Sequence, residues 1–383
     1  MTSGISTEAP CYAPLLHAYT DRLGAARAAA TQGRKVVGYV GNTVPVELIA
    51  AAGCVPVRIA PAEGDPSAAD ALIESFADTD MRLIFSQYCA GAYDMLDLLV
   101  IPRSTESQHK LYLALREAWR IGLVTRGPAL RLYDILHTQR ETSRAYGLAR
   151  TAELWRQLCA IGGTKADDEV ALRDAIALAN HTRTLLHALQ QRRHGGMVCG
   201  SQALMATGAT RFLPPQQAQA ALQAWLAAAE TTPAQGARLL VQGCPLDHIG
   251  LHRLVEQAGA CVVAEDDEWG ARAEETPIAT DREPLQAIFE HYWRDVPCVR
   301  LHPDIAGRAW FEQALSDPTL DGVLFYLPPP DDIHGWAFPT QRAQVEAAGL
   351  PWLLVREDAR QPVALAPQLQ AFIATLPARR AAT

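Results

Sequence analysis

Apolar residues fall along this chain in two rhythms. Short unbroken runs, KVVGYV (35–40), VPVRI (55–59), MRLIFS (81–86) and LDLLVI (96–101), lack the polar alternation of a half-exposed strand, so each predicts a strand covered on both faces. Between the first two, Asn42 to Pro45 reads as a turn. Val46 to Ala52 reads as a helix, with Pro near its start and Gly53 just past its end. That is a βαβ unit. Residues 12–31 predict a helical lead-in, and the shorter run LRLYDIL (130–136) one more strand.

From about Glu141 to Ala229 the rhythm changes to long, alanine-rich stretches with apolar residues at helical spacing. The strongest of these helices starts at TKADDEVAL, where Thr164 is placed to cap it and Asp167 to complete the capping pattern. TTPAQGA (231–237) reads as a linker. Beyond it ARLLVQG, ACVVAED, CVRLHP, DGVLFYLP and LPWLLVRED predict strands, alternating with helices such as DHIGLHRLVEQAG and PTQRAQVEAAG. The fold class is therefore α/β, with two doubly wound parallel-sheet domains and a helical insertion or brace between them. The expected segments are a lead-in (1–34), a first α/β domain (35–140), a helical segment (141–230) and a second α/β domain (236–383).

Composition sharpens this picture. With 49% hydrophobic and 20% charged residues among 383, the chain has enough apolar surface for well-packed cores. A formal net charge of −8 argues against nucleic acid, which needs many phosphates neutralised. Lysine occurs only at Lys35, Lys110 and Lys165, so arginine carries the positive charge and could clamp a phosphate-rich ligand. No secretory signal and no apolar stretch of ~20 residues is evident, which predicts a cytoplasmic protein without a membrane span. The eight cysteines contain no CxxC pair and read as free thiols.

In open parallel sheets, ligands bind outside the carboxyl ends of the strands. After the first strand lie Asn42 and Glu47, the latter also explained as a carboxylate stabilised at a helix start. After the run at 81–86 lies Cys89, and after LDLLVIP come Ser104, Thr105 and Glu106, whose plainest role is helix capping. The second half offers QGCPLDH (242–248), AEDDEWGAR (264–272) and LPPPDDIHGWAFP (327–339). Asp266 with Asp267 and Asp331 with Asp332 are carboxylate pairs there that could bind a hard cation or serve as ordinary loop residues. No phosphate-binding glycine fingerprint follows a strand, and no GxSxG elbow is present.

Five stretches in the same order resemble the 2-hydroxyacyl-CoA dehydratase and benzoyl-CoA reductase subunit family. They are VGYVGNTVPVELIAAAGCVPVRIA, LDLLVIPRSTESQHKLY, the Gly162 to Asn180 helix, VQGCPLDHIGLHRLVEQAGACVVAEDDEWGAR and DGVLFYLPPPDDIHGWAFPTQRAQVEAAGLPWLLVRED. The resemblance implies two α/β domains with a 4Fe-4S cluster between them and an acyl-CoA thioester in the cleft. It also implies a paralogous partner subunit, an ATP-dependent iron-sulfur activator, and ketyl radical chemistry.

Carried over position by position, Cys89 falls at the family's first cluster ligand. PRSTE puts Thr105 and Glu106 where P-x-x-C-D is usual, and Asp331, followed by Asp332, stands in the third place. Two of three thiolates are thus replaced, and a cubane of iron and sulfide favours thiolate donors. The resulting expectation is a subunit with a degenerate iron-sulfur site and a cluster-bearing partner. Glu47, Asn42 and Ser104 are expected beside the substrate, Arg58, Arg103 and Arg272 at the CoA phosphates, and Cys89, Asp331 and Thr105 at the former metal site. Cys244 and Cys298, also near strand ends, could join Cys89 in a different set. Two alternatives stay open: a non-redox CoA-ester or small-acid binding protein on the same scaffold, and a hard-metal enzyme built on Asp331, Asp332 and Asp266.

Overall fold

The computed structural model describes residues 11–61, 63–228, 236–266, 269, 276–301, 303–329, 331, 333–358, 360 and 364–376. Among the described residues, eight strands form two sheets. β1 (Val36–Tyr39), β2 (Val55–Arg58), β3 (Leu98–Pro102) and β4 (Ala129–Tyr133) lie in the order β2-β1-β3-β4. β5 (Ala237–Gly243), β6 (Ala260–Asp266), β7 (Gly322–Tyr326) and β8 (Trp352–Val355) lie in the order β6-β5-β7-β8. Every pairing is parallel, so the α/β, doubly wound architecture is the one the apolar runs predict.

Unbroken apolar strands require cover on both faces, and helices provide it. One face of the first sheet packs on helices Gly24–Thr31, Thr79–Cys89 and Glu106–Arg120 through Ala26, Phe85 and Leu115. Its other face meets helices Glu141–Gly162 and Pro284–Arg294 through Trp155, Phe289 and Trp293. Each large apolar side chain among these contributes ~1.5–3 kcal/mol by leaving water. The core under the first sheet therefore includes a helix from late in the chain. The lead-in divides likewise: Ala13–Thr20 packs with the second sheet's core, and Gly24–Thr31 with the first.

Helix Gly200–Phe212 contacts both β2 and β6, the edge strands on one side of each sheet. Almost all of it is buried. Its glycines permit this, because a Cβ at Gly208 would come within 2.9 Å of the Tyr19 ring, and one at Gly200 within 2.9 Å of Val262.

Three expectations are corrected. Met81–Ser86 is not a strand but the middle of helix Thr79–Cys89, started by the Asp78 carboxylate, which accepts from the Met81 amide. Leu83, Ile84 and Phe85 fill the core there, and a short apolar run cannot by itself distinguish a buried helix from a buried strand. Residues 298–301 form a turn closed by the Leu301 amide on the Cys298 carbonyl, while His302 lies outside the described residues. The long helix Glu169–His194 is capped by Asp168, whose carboxylate accepts from the Ala171 amide, rather than by Thr164. Thr164 instead donates its hydroxyl to the Ala51 carbonyl. Of the linker, residues 231–235 lie outside the described residues.

Candidate functional site

In each sheet the strand order reverses once, between β1 and β3 and between β5 and β7. Loops leaving such a reversal part in opposite directions and open a crevice. The two crevices share one cavity of about 600 Å³, lined by Asn42, Ser104 and Thr105 from the first sheet and by Cys244, His248 and Asp331 from the second. That volume suits a small organic ligand or one end of a larger one.

The first-sheet wall is built around a helix start. Thr105 caps helix Glu106–Arg120 by accepting from the Gln108 amide at 3.1 Å, and Gln108 Oε1 reaches back to the amides of Ser104 and Thr105 at 3.2 Å each. The expected capping is thus present, with Thr105 as the cap and Glu106 in the first helical turn, and Gln108 completes the box. Ser104, held by its amide, shares a short hydrogen bond between its hydroxyl and that of Thr43, across the gap from β3 to β1. Gly41 makes room for this turn. Its φ of 69° lies in the left-handed region, and a Cβ there would stand 2.7 Å from Gln108 Nε2. Asn42 donates to the Pro297 carbonyl at 2.9 Å, tying this wall to the turn that carries Cys298.

The opposite wall is rich in carboxylates. Asp331 accepts from three consecutive amides, those of Ile333 (3.1 Å), His334 (2.8 Å) and Gly335 (2.6 Å). Burial, reinforced by the Asp331 charge, pushes the Cys244 thiol far above its ordinary range. Farther along, Arg360 bridges Asp247 (3.0 Å) and Asp80 (2.8 Å), while Arg22 holds the other oxygen of Asp247 at 2.7 Å. Burial opposes the charge on Asp247, but Arg22 and Arg360 hold its carboxyl below the usual range. Asp80 responds the other way. Burial and the Asp247 charge push it up to about 7 despite Arg360. Burial also draws His248 down to about 4, so it is neutral at pH 7.

The structure sorts the residues named from sequence. Asn42, Ser104, Thr105 and Asp331 line the cavity together. Glu47 does not; it is buried behind β1, accepting from Arg183 at 2.7 Å and from the Tyr292 hydroxyl at 2.8 Å. Cys89 does not either. The amino-terminal turn of its helix, Asp78 to Met81, borders the cavity, whereas Cys89 ends that 11-residue helix and packs at the margin of the first sheet's core. At 1.5 Å rise per residue the two ends are about 15 Å apart. Arg58 is buried with its guanidinium 3.7 Å from the Trp269 ring centroid, and Arg103 faces Asp134 at 3.5 Å. Arg272, Asp267 and Asp332 lie outside the described residues.

These donors do not fit an iron-sulfur cubane. The Thr105 oxygen is occupied by its cap, both Asp331 oxygens hold backbone amides, and Cys89 is at the far end of its helix. Cys298 and Cys244 do border the cavity. Yet among the described residues no three His, Cys, Asp or Glu side chains are grouped to hold a metal ion.

Sequence reasoning missed Asp78, Asp80, Gln108, Arg22, Arg308 and Arg360. Asp78 and Asp80 were concealed by reading 81–86 as a strand. Gln108 was legible, three residues after a Thr that precedes a helix. The arginines come from segments remote in sequence and gave no local signal.

No helix among the described residues is long and apolar enough to cross a membrane. The chain is 19% identical over 331 residues to the (R)-phenyllactyl-CoA dehydratase beta subunit of Clostridium sporogenes, covering 85% of this chain and 87% of that protein. It is 26% identical over 321 residues to a benzoyl-CoA reductase subunit of Thauera aromatica, covering 78% of this chain and 79% of that protein. Residues 42–376 match the family described as 2-hydroxyglutaryl-CoA dehydratase, D-component, and with nearly the whole chain spanned the protein belongs to that family.

Proposed function

We propose that this chain is a subunit of a 2-hydroxyacyl-CoA dehydratase or benzoyl-CoA reductase-type enzyme, in which it holds an acyl-CoA thioester without carrying the cluster itself. The observation that carries this reading is the donor chemistry of the cavity wall, where the positions of two family thiolates are taken by oxygens already engaged with backbone amides. Electron delivery then falls to a cluster-bearing paralogous subunit, served by an ATP-dependent iron-sulfur activator, both as the resemblance implies.

This chain's own residues bind and orient. Ser104 lines the cavity and pairs its hydroxyl with that of Thr43; with Thr43 as the donor of that bond, the Ser104 proton is left for a carbonyl oxygen in the cavity. A fixed donor of this kind stabilises charge that develops on a thioester oxygen. Burial keeps His248 neutral, which leaves that part of the opposite wall uncharged and suited to an acyl group. Arg308, exposed along the same cavity, is placed for the CoA phosphates in a way that buried Arg58 is not.

The test is anaerobic reconstitution of the isolated chain with iron and sulfide, followed by iron analysis and titration with a CoA ester. The proposal expects CoA-ester binding with iron far below the content of a full cubane. A stoichiometric cluster in the isolated chain overturns the cluster-free assignment, and failure to bind any CoA ester, alone or with a cluster-bearing paralogue, overturns the substrate assignment.

A further inference from the structure

The cavity between the two sheets does not end at its carboxylate wall. Asp304, Gly307, Arg308 and Phe311 all line it, and their spacing places them on one face of helix Ile305–Leu315 and its cap. Ala337, Thr340, Gln341 and Gln344 repeat that spacing on helix Phe338–Ala347 and its cap. Both helices cover the same face of the second sheet, Phe311 from one and Val345 from the other sharing a core with Val323 and Phe325 of β7. Gln344 donates across to Glu312 at 3.4 Å. The cavity therefore continues as a groove between two helices, for about 10 Å at 1.5 Å rise per residue.

Gly307 and Phe311 are buried and bring no polar side chain to the groove. The Asp304 carboxylate caps its helix, accepting from the Gly307 amide at 2.8 Å. Arg308 and Thr340 are exposed and Gln341 is half-buried. Among the described residues none of these three side chains has a hydrogen-bond or ionic partner. The groove thus presents one cation and two neutral groups that each donate and accept. A polyanion would find a single positive partner there, and a plain alkyl chain would cover the Gln341 amide without bonding it. An extended chain carrying neutral amides, with an anionic group beyond them, matches all three.

We infer that this groove holds the pantetheine arm of the ligand, its amides on Thr340 and Gln341, with Arg308 at the rim taking the phosphate that follows. The inference rests on the acyl-CoA reading above. It adds the path by which a thioester beside Ser104 connects to the nucleotide outside. Selection of the carrier then belongs to two helices of the second sheet, apart from the hydroxyl pair on the first.

Titration calorimetry of the full chain with butyryl-CoA, butyryl-pantetheine and butyryl-N-acetylcysteamine tests it, the last of these stopping after the first amide. The pantetheine ester is expected to bind about tenfold tighter than the N-acetylcysteamine ester, the worth of one or two hydrogen bonds. Thr340→Trp, whose ring fills the groove from an exposed position, is expected to remove that advantage and leave the N-acetylcysteamine ester unaffected. Gln341→Leu serves if that variant does not fold. Arg308→Gln is expected to weaken the CoA ester about tenfold, as for a lost bond to a charged group, with the pantetheine ester unchanged. Failure of all three esters to bind, alone or with a cluster-bearing paralogue, overturns the acyl-CoA reading and this inference with it. CoA-ester binding without a pantetheine advantage, an advantage that survives in a folded groove variant, or a CoA ester indifferent to Arg308→Gln overturns this inference alone.

Discussion

Glu47 and Arg183 form a 2.7 Å ion pair inside the protein, with side chains only 1% and 10% exposed. Sequence reading put Glu47 beside the substrate, yet both its oxygens are occupied, the second by the Tyr292 hydroxyl. Burial opposes its charge, but Arg183 and His291 hold the carboxyl below its usual range. Removing one partner strands the other charge in the core. Glu47→Ala is therefore expected to cost about 3–5 kcal/mol, read from urea unfolding, while CoA-ester affinity of the folded fraction stays unchanged. Intact stability with lost affinity would return Glu47 to the substrate site.

Asp80 makes stability depend on pH in the direction opposite to a usual carboxylate. Its folded value is about 7, against an unfolded value near ~3.9. Below pH ~4 both states hold the proton and nothing is lost. As pH rises from there toward 7, the unfolded chain ionises first, so stability falls through that window and then levels. Asp247, held low by Arg22 and Arg360, acts in the opposite sense and only as pH falls below the ordinary carboxylate range. Asp80→Asn should flatten the limb between about pH 4 and 7 in urea midpoints measured across that range. An unchanged slope would show that Asp80 is not its source.

Cys89 should behave as a packing residue. It ends a helix at the margin of the first sheet's core, and burial alone raises its thiol. Cys89→Ser is expected to lower stability by about 1 kcal/mol, the common size of a small partly buried substitution, and to leave the iron content of the reconstituted chain unaltered. Loss of bound iron in this variant would place Cys89 at a metal after all.

How much of this was legible in the sequence follows from which interactions are local. The βαβ start, β3 and the strands at 237–243, 260–266 and 322–326 are apolar runs closed by turn residues, so pattern alone locates them. The run at 81–86 misled because burial on all sides erases the amphipathic period by which a helix is recognised, leaving Asp78 as the main sign of its start. At the site, Ser104 and Thr105 were legible because helix starts and strand ends coincide there. The Arg22, Asp247 and Arg360 chain was not, since it joins residues 225 and 113 positions apart. Nor could sequence show that the Asp331 oxygens are occupied by amides, which depends on how the 331–335 turn closes.

Gly41 and Gln108 should prove energetically coupled. Gln108→Ala removes the acceptor for the Ser104 and Thr105 amides and loosens the Thr43 and Ser104 hydroxyl pair. Its expected cost is about 1–2 kcal/mol, as for a lost cap, with roughly tenfold weaker CoA-ester binding, about 1.4 kcal/mol. Gly41→Ala meets two penalties: a φ of 69° that alanine adopts poorly, and a Cβ 2.7 Å from Gln108 Nε2. In the double variant the second penalty vanishes while the first remains. The combined loss should therefore fall short of the sum of the two single losses by at least about 0.5 kcal/mol, the size of coupling found between residues in contact. Urea unfolding of the four proteins in the cycle measures it. Strict additivity would mean that Gln108 moves aside freely, and that the capping box does not fix the position of Ser104.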